Sequence, residues 1–280
     1  MCRPPAWAWR IIGSHCPHHS ATYLFYWSAL KLTSKMNTDS INTSAQFYGS
    51  PIGKVNEQSI VNTCAMLNME MVGKYGQFDS AIFMGLGEGS LLERMGPRFE
   101  ACFVVEASDF LIARARERFA GLRGMHLINS YFENYEPAHG QEASFILGNH
   151  VLEHLTDPVD VLRKTLRWLK PNGIAIFTVP NATSIHRRIG VHLGVLQKDS
   201  ALSEQDKVVG HQRVYDSARL RADVIAGGYT VVEEGGFNLK LVSQAQMIDW
   251  PEALHAAIYR VSRECPADLC SNLYVVCRPL

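Results

Sequence analysis

The chain has 280 residues, enough to bury a complete hydrophobic core, and one domain with appendages is the natural expectation. Its 27 basic and 27 acidic residues balance, which argues against a dedicated nucleic-acid or membrane-surface protein. Seven scattered cysteines without a C-x-x-C pair predict reduced thiols in a cytoplasmic protein.

The first 35 residues differ from the rest of the chain, because they are rich in Trp, Cys, His and Pro and show no clear period. We expect a poorly ordered N-terminal extension over residues 1–50 and one domain over residues 51–280. The polar segment after Met36 is typical of an N-terminus, so residues 1–35 are predicted to be dispensable. The His/Cys cluster at residues 15–19 lacks a second ligand pair and does not predict a zinc site.

A leading helix is predicted between about residues 51 and 75, because apolar residues recur there at helical spacing. These residues are Ile60, Cys64, Leu67, Met71 and Tyr75. Two interpretations are open: the helix covers a cofactor, or it only packs against the core.

The central pattern is an apolar run, residues 81–84, that leads directly into Gly85-Leu86-Gly87-Glu88-Gly89 and a helix-like segment. A buried strand followed by a glycine turn brings backbone N–H groups against a ligand at a helix N-terminus. Glycine is needed because a Cβ would block that approach. A second apolar run ends in Glu106, an acid that can accept hydrogen bonds from a ribose diol. Together these features predict a nucleotide-type site.

Further strands and helices alternate along the rest of the chain. Asp109 is predicted to cap a helix with Phe110, Ala113 and Ala115 on its buried side. Asp157 and Pro158 begin another helix. The remaining predicted elements are strands at residues 125–128, 143–148 and 174–179, a turn at 170–173, an insertion at 182–215, a helix at 217–226, and strands at 229–233 and 273–277.

This alternation predicts a Rossmann-like, doubly wound α/β fold with a mostly parallel sheet. Ligands bind outside the C-terminal strand ends of such sheets. The polar or glycine-bearing clusters of this chain all follow strands: Gly85–Gly89, Glu106, Ser130–Glu133, Asn149–His150 and Pro180–Asn181. We therefore expect one ligand site on one rim of the sheet, with the insertion after the fifth strand facing the substrate.

A longer series of motifs makes the interpretation more specific. It consists of Asn149-His150-Val151-Leu152-Glu153-His154-Leu155-Thr156-Asp157-Pro158, Leu169–Gly173, Val179–Asn181, Gly210–Tyr215 and Gly227–Tyr229. With the G-x-G-x-G turn, this series resembles the class I S-adenosylmethionine-dependent methyltransferases, and among them the ubiquinone-biosynthesis O-methyltransferase type. The resemblance implies a seven-stranded sheet with its last strand antiparallel, S-adenosyl-L-methionine as cofactor, and methyl transfer to O or N of a small molecule.

Two residues depart from the pattern of that family. Phe83 stands where an acid usually helps to hold the methionine amino group, and Ser130 stands where an aspartate is common. Glu88 or a rim carbonyl would then take over the ammonium contact. These departures leave open a catalytically idle binding protein on the same fold. A nicotinamide-dependent oxidoreductase is a further alternative, which the glycine spacing disfavours.

The candidate cofactor-binding residues are Gly85, Leu86, Gly87, Gly89, Glu106, Ala107, Tyr131, Phe132, Asn149 and His150. Tyr131 or Phe132 is expected to stack against adenine, although either also suits the core. His150 and His154 are the candidate catalytic residues, because a neutral imidazole can take the proton of a phenol whose pKa is near ~10. A structural His154 remains an open alternative.

The candidate acceptor contacts lie at the two ends of the insertion: His186, Arg187, His211, Arg213 and Tyr215. Arginine there would suit a carboxylate or phosphate on the acceptor, and solvated loop charges are the alternative. No metal is predicted, since His150 and His154 share a face only in a helix and Glu153 is expected to face elsewhere. The expected partner is a small-molecule acceptor, without nucleic acid or membrane, and a homodimer is left open.

Overall fold

The computed structural model describes residues 51–242, 244–247 and 250–280. The predictions for residues 1–50, including the dispensable N-terminus and the His/Cys cluster at residues 15–19, lie outside the described residues, as does the side chain of Ile60. The five cysteines within the described ranges are free thiols.

Seven strands form one sheet in the order β3-β2-β1-β4-β5-β7-β6. The strands are β1 Ser80–Met84, β2 Ala101–Glu106, β3 Met125–Asn129, β4 Ala143–Asn149, β5 Leu169–Pro180, β6 Tyr229–Phe237 and β7 Asn272–Pro279. The first five pair in parallel, and β7 lies antiparallel between β5 and β6. The predicted doubly wound sheet, with its last strand antiparallel, is confirmed.

Helices flank the sheet. They are α1 Pro51–Tyr75, α2 Ser90–Met95, α3 Asp109–Arg118, α4 Pro158–Thr165, α5 Ile185–His192, α6 Glu204–Val208, α7 Ser217–Ala226 and α8 Glu252–Ser262. Short 3₁₀ helices lie at Gly96–Arg98, Phe132–Asn134, Leu166–Trp168, Gln244–Met247 and Ala267–Leu269. Within the described ranges, no helix combines the length and the apolar character needed to cross a membrane.

The core consists of two buried clusters, to which alternate residues of each strand contribute. On β1, Ile82 and Met84 belong to one cluster, whereas Ala81 and Phe83 belong to the other. This division follows from the period of two along a strand, which sends successive side chains to opposite faces of the sheet. Because β1 is buried along its length, the glycine turn at its end is held on a rigid support.

Helix α3 differs in detail from the prediction. Ser108, not Asp109, is its N-cap, since the Ser108 hydroxyl accepts a hydrogen bond from the Leu111 N–H at 3.2 Å. The helix turns Leu111, Ile112 and Ala115 toward the core, while Phe110 and Ala113 are exposed. The spacing of apolar residues alone did not show which face of this short helix is buried and which is exposed. By contrast, Asp157 caps α4 as predicted.

Two other local predictions were wrong. Residues 170–173, expected to form a turn, belong to β5, where Asn172 adopts φ +66° and the β4–β5 register shifts. A bulge thus accommodates the turn-forming residues without ending the strand. The stretch between β6 and β7 was expected to be irregular but contains α8, and the insertion, expected to have little strand character, contains α5 and α6. Helices α5 and α6 have only eight and five residues, so any periodic pattern in their sequence is short.

Candidate functional site

The glycine turn joins β1 to α2 at the C-terminal rim of the sheet. Gly85, Gly87 and Gly89 have φ values of +80°, +55° and +94°, which side-chain-bearing residues rarely adopt. The Gly85 N–H donates to the Val105 carbonyl at 2.9 Å and so anchors the turn to β2. The backbone path therefore favours glycine at these three positions. Arg118 covers one side of the turn, where its guanidinium donates to the Glu88 carbonyl at 2.6 Å.

Glu106, at the end of β2, is tied directly to this turn. Its two carboxylate oxygens accept hydrogen bonds from the N–H groups of Leu86 at 3.0 Å and Ser108 at 2.8 Å. Burial raises the pKa of Glu106, and these backbone donors oppose that rise by favouring the ionised form. The Glu106 side chain, at the end of β2, thus holds the glycine turn in place through its hydrogen bond to Leu86. The sequence analysis missed this bracing role, which no local pattern signals.

A cavity of about 360 Å³ opens beside the turn on the side that faces α3. It is lined by Leu86, Gly87, Glu88, Leu111, Arg114, Ala115, Glu117, Arg118 and Phe119. Neither Glu106 nor Asn149 contributes to it. The cavity therefore shares Leu86 and Gly87 with the candidate cofactor-binding residues, whereas the rest of its lining comes from Glu88 and the α3 side.

Helix α1 reaches the rim through a buried polar contact. The Asn68 side-chain amide donates to the Asn149 Oδ1 atom at 3.1 Å, and the Thr178 hydroxyl donates to the same oxygen at 3.3 Å. Asn149 is therefore oriented from two elements. Asn68 was missed by sequence reasoning, although a buried asparagine within the apolar stripe of α1 is a detectable signal.

His150 directly follows β4 and has an unusual backbone conformation, with φ +53°. Its N–H donates to the Thr178 carbonyl at 2.9 Å, which keeps the chain aligned with β5 for one residue beyond the strand. Burial lowers the pKa of its imidazole to about 3, so the ring is neutral at physiological pH. Its Nε2 atom is buried without a hydrogen-bond partner among the described residues. A ring that resists protonation in this way is a weak base in the present structure, so its candidacy as a proton acceptor rests on its position at the end of β4.

The segment after His150 is not helical, which corrects the reasoning about metal ligands. His150 and His154 do not share a helical face. Glu153 was expected to face elsewhere, but its Oε1 atom lies 3.5 Å from His150 Nδ1 and 4.0 Å from His211 Nε2. The His154 and His211 rings meet edge to face, with centroids 4.7 Å apart. The turn after β4, not helical spacing, determines these directions.

The remaining candidate cofactor contacts lie beyond β2 and β3. The Ala107 carbonyl accepts a hydrogen bond from the Asn129 side chain at 3.3 Å. Tyr131 and Phe132 are both half-buried, and Phe132 packs against one of the two core clusters. A role for either ring in stacking stays a prediction.

Three of the candidate acceptor contacts serve the fold instead. Arg187 is buried, pairs with Asp206 at 3.2 Å and donates to backbone carbonyls of its own insertion. The Arg213 guanidinium donates to the carbonyls of Leu152, Leu155 and Thr156. Tyr215 is fully buried, and its hydroxyl donates to Asp223 at 2.9 Å. The sequence analysis placed these residues near the site but could not show that their polar groups are already paired.

His186 and His211 differ from those three residues. Burial lowers the pKa of His186 to about 3, and its Nδ1 atom is buried without a hydrogen-bond partner in the described part of the chain. His211 is held through its Nδ1 atom, 2.9 Å from Asp206 Oδ1. His186 therefore stays a candidate acceptor contact, while His211 belongs to the cluster around Glu153.

The two departures from the family pattern have clear structural settings. Phe83 is 2% exposed and packs edge to face on Phe99, so this position is part of the core. The Ser130 N–H donates to the Glu106 carbonyl at 3.0 Å. Glu88, suggested as a replacement for the missing acid, accepts a hydrogen bond from the Ser90 hydroxyl.

Comparison with known families decides the class of this protein. Residues 80–234, more than half of the chain, match the family model described as a methyltransferase domain. The chain belongs to this methyltransferase family. The matched region runs from β1 into β6 and contains the glycine turn, Glu106 and the segment after β4. Membership favours methyl transfer over the nicotinamide-dependent alternative. A comparison with curated proteins gave no significant match.

Solved structures share the fold of this methyltransferase at low sequence identity. One is a complex from Haloferax volcanii between the Trm112 methyltransferase activator and the putative methyltransferase: 14% identity, TM-score 0.59, covering 85% of this chain and 98% of that one. A second is the N-methyltransferase NodS from Bradyrhizobium japonicum in complex with S-adenosyl-L-homocysteine. It has 12% identity and a TM-score of 0.52, and the match covers 87% of this chain and 99% of that one. A third is the plantazolicin methyltransferase BamL in complex with a triazolic desmethylPZN analog and S-adenosyl-L-homocysteine, with 14% identity and a TM-score of 0.55, covering 86% of this chain and 96% of that one.

The role of Arg213 in the fold can be tested by mutation. Arg213→Ala is expected to lower the free energy of unfolding by about 2–4 kcal/mol, because it leaves carbonyls of the segment after β4 without their charged donor. Chemical denaturation of the purified methyltransferase measures this loss. Arg219→Ala, a change at an exposed arginine, is the control and is expected to alter stability by less than about 1 kcal/mol. Equal effects of the two substitutions would contradict the assignment.

Proposed function

We propose that this methyltransferase uses S-adenosyl-L-methionine to methylate an oxygen or nitrogen of a small-molecule acceptor, with the cofactor along the rim between Glu106 and Asn149. The single observation that carries the proposal is the hydrogen bond between the Glu106 carboxylate and the glycine turn. It joins an acid suited to a ribose diol to a stretch of bare backbone suited to the methionine end.

The residues present fit this cofactor in three respects. The Glu106 carboxylate is ionisable and only 9% exposed, and the backbone N–H groups of Leu86, Ala107 and Ser108 hold it in place, so a remaining lone pair can accept a ribose hydroxyl. The glycine turn offers peptide groups rather than side chains. Glu88, which lies within the turn and accepts a hydrogen bond from the Ser90 hydroxyl, would supply a carboxylate for the ammonium group that the family usually pairs with an acid at the position of Phe83.

The bound cofactor would supply a methyl group on a sulfonium, and the protein has little charge to stabilise during its transfer. Positioning and exclusion of water therefore account for much of the expected acceleration. Asn149, held by Asn68 and Thr178, would orient the reacting end of the site. His150, whose Nε2 atom has no hydrogen-bond partner among the described residues, would take the acceptor proton at that nitrogen. Because burial disfavours the protonated ring, this transfer requires the negative charge that forms on the acceptor oxygen to stabilise the imidazolium. A finer likeness to ubiquinone-biosynthesis O-methyltransferases suggests a phenolic acceptor, whose proton a neutral imidazole suits.

Two measurements test the function. Calorimetric titration with S-adenosyl-L-homocysteine is expected to show one site per chain, whereas NADH is expected to give no heat of binding. Incubation of cell extracts with radiolabelled S-adenosyl-L-methionine should then yield a labelled small molecule only when the enzyme is present. Tight cofactor binding without any labelled product would favour the catalytically idle alternative. Failure to bind the cofactor would overturn the proposal.

The glycine turn gives a direct test of the site. Gly87→Val is expected to abolish binding of S-adenosyl-L-homocysteine, because φ +55° is strained for a β-branched residue and the added side chain would cover the bare backbone. Gly121→Val is the matched control, since a Cβ at Gly121 meets no other group within 4 Å. Calorimetry measures binding, and thermal unfolding monitors the fold. Unchanged affinity in the Gly87 variant would exclude this turn as the site.

A further inference from the structure

A second cluster of chemically active groups lies where the segment after β4 meets the insertion. Ligand atoms of Glu153, His154 and His211 all lie within 4.8 Å of one another. Glu153 is fully buried, yet neither of its carboxylate oxygens has a hydrogen-bond partner among the described residues. A buried carboxylate without donors is costly unless it is protonated or a cation balances it.

Both histidines of this cluster are oriented from outside it. His211 contacts Asp206 through Nδ1 at 2.9 Å, which leaves Nε2 directed toward Glu153. His154 hydrogen-bonds through its ring to the backbone of Gly210. Metal-binding histidines usually donate their second ring N–H to a carboxylate or a backbone carbonyl in this way, because such contacts determine the tautomer and the ring orientation.

The two chain segments that carry the cluster are docked by further hydrogen bonds. The Gln212 N–H donates to the Glu153 carbonyl at 2.8 Å, and the Gln212 side chain donates to the His154 carbonyl at 3.0 Å. Arg187 holds Asp206 in place through an ion pair at 3.2 Å. The three ligand-bearing residues are therefore positioned by backbone contacts that do not depend on the ligand.

We propose that Glu153, His154 and His211 bind a divalent transition-metal ion of the Zn²⁺ type, which joins the insertion to the end of β4. Two imidazoles and one carboxylate are a common donor set for zinc, with a fourth position left for water. Mg²⁺ fits poorly, because it prefers oxygen donors and octahedral geometry. Tetrahedral binding needs donor atoms about 3.3 Å apart, so small side-chain rotations must close the present spacing.

This site is separate from the glycine turn, and the proposal does not depend on the methyl donor. The ion would neutralise the buried carboxylate and tie together segments far apart in sequence. Because an ion that binds only the folded chain stabilises it by mass action, zinc should raise the unfolding temperature. His150 adjoins the cluster, with Nδ1 3.5 Å from Glu153, so the ion would also limit the movement of the candidate base.

The test uses the full chain after treatment with a chelator and dialysis. Titration with ZnCl₂ is expected to show one ion per chain and a rise in unfolding temperature, whereas MgCl₂ is expected to produce neither. CoCl₂ should give the visible absorption of a tetrahedral cobalt site. His211→Gln and the isosteric Glu153→Gln are each expected to weaken zinc binding at least 100-fold. His192→Gln, which alters an exposed histidine at the end of α5, is the control and should bind zinc normally.

Three results would overturn the proposal. The first is failure of the chelated wild-type protein to bind zinc. The second is zinc binding that survives in both variants, or that disappears equally in the His192 variant. The third is a pair of observations: Glu153→Gln raises the unfolding temperature of the metal-free protein, and zinc leaves the unfolding temperature of the wild type unchanged. Together they would show that a proton, not a metal ion, balances the carboxylate. Because calorimetry with S-adenosyl-L-homocysteine is independent of these measurements, failure here leaves the methyl-donor proposal standing.

Discussion

Glu106→Gln is expected to weaken the binding of S-adenosyl-L-homocysteine by about 100-fold or more while the chain stays folded. Two losses combine. The charged acceptor for the ribose hydroxyls disappears, and each hydrogen bond to a charged group contributes about 1.5–3 kcal/mol. The glutamine amide also cannot accept from both the Leu86 and Ser108 N–H groups, so the turn loses one of its braces. Isothermal calorimetry measures the change in affinity.

Asp109→Asn is the matched control for this experiment. Asp109 is an exposed acid only three residues along the chain, in the first turn of α3, and its loss removes the same charge from the same rim. We expect its affinity for S-adenosyl-L-homocysteine to stay within about threefold of the wild type, because exposed charges are screened by solvent. If both variants lost affinity equally, the loss would come from the change in local charge and not from a specific contact with Glu106. If Glu106→Gln bound normally, the assignment of the ribose contact would be wrong.

The second large effect is expected at His150. His150→Asn should lower kcat by about 10²–10⁴, the usual contribution of general acid–base catalysis, with little change in the affinity for S-adenosyl-L-homocysteine. Asparagine is the replacement of choice because it tolerates φ +53° better than most residues, so the backbone hydrogen bond to Thr178 is retained. Steady-state kinetics with the acceptor found by the labelled-methyl screen separates kcat from KM.

His192→Asn provides the comparison, since it makes the same chemical change at an exposed histidine in α5. Its kcat is expected to match the wild type. A loss of kcat in His150→Asn together with an equal loss of cofactor affinity would point to a binding role. An unchanged kcat would show that the acceptor proton leaves without His150 and would remove it from the proposed chemistry.

The central elements of the fold were predictable because their signals are local. Strands β1, β2 and β4 and the second half of β5 contain apolar runs, and the alternation of strands with helices leaves few topologies open. The glycine turn was predictable because only glycine tolerates its backbone angles, and Glu106 because it directly follows an apolar run. Helix α8 was missed, since its buried His255 and Tyr259 weaken the apolar pattern that identifies a helix.

The corrected site residues show why the rest could not be predicted. Arg187 and Tyr215 were assigned to the acceptor from their residue type and position, yet Asp206 and Asp223 already bind them. Asp206 and Asp223 lie on other helices. Which acidic residue pairs with Arg187 therefore depends on how the insertion folds. The sequence also could not show the direction in which a side chain points. Glu153 was expected to point away from His150, but a non-helical turn brings the two side chains together.

The amino-acid sequence by itself determined the succession of strands and helices along the chain, the glycine turn and the acid at the end of β2, because these depend on neighbouring residues along the chain. Only the tertiary structure decided that Glu106 braces the turn, that Asn68 orients Asn149, and that His211 returns from the insertion to face Glu153. The physical reason is that these contacts join residues between 20 and 81 positions apart in the chain. Their directions follow from packing and from loop conformations, which no local spacing encodes.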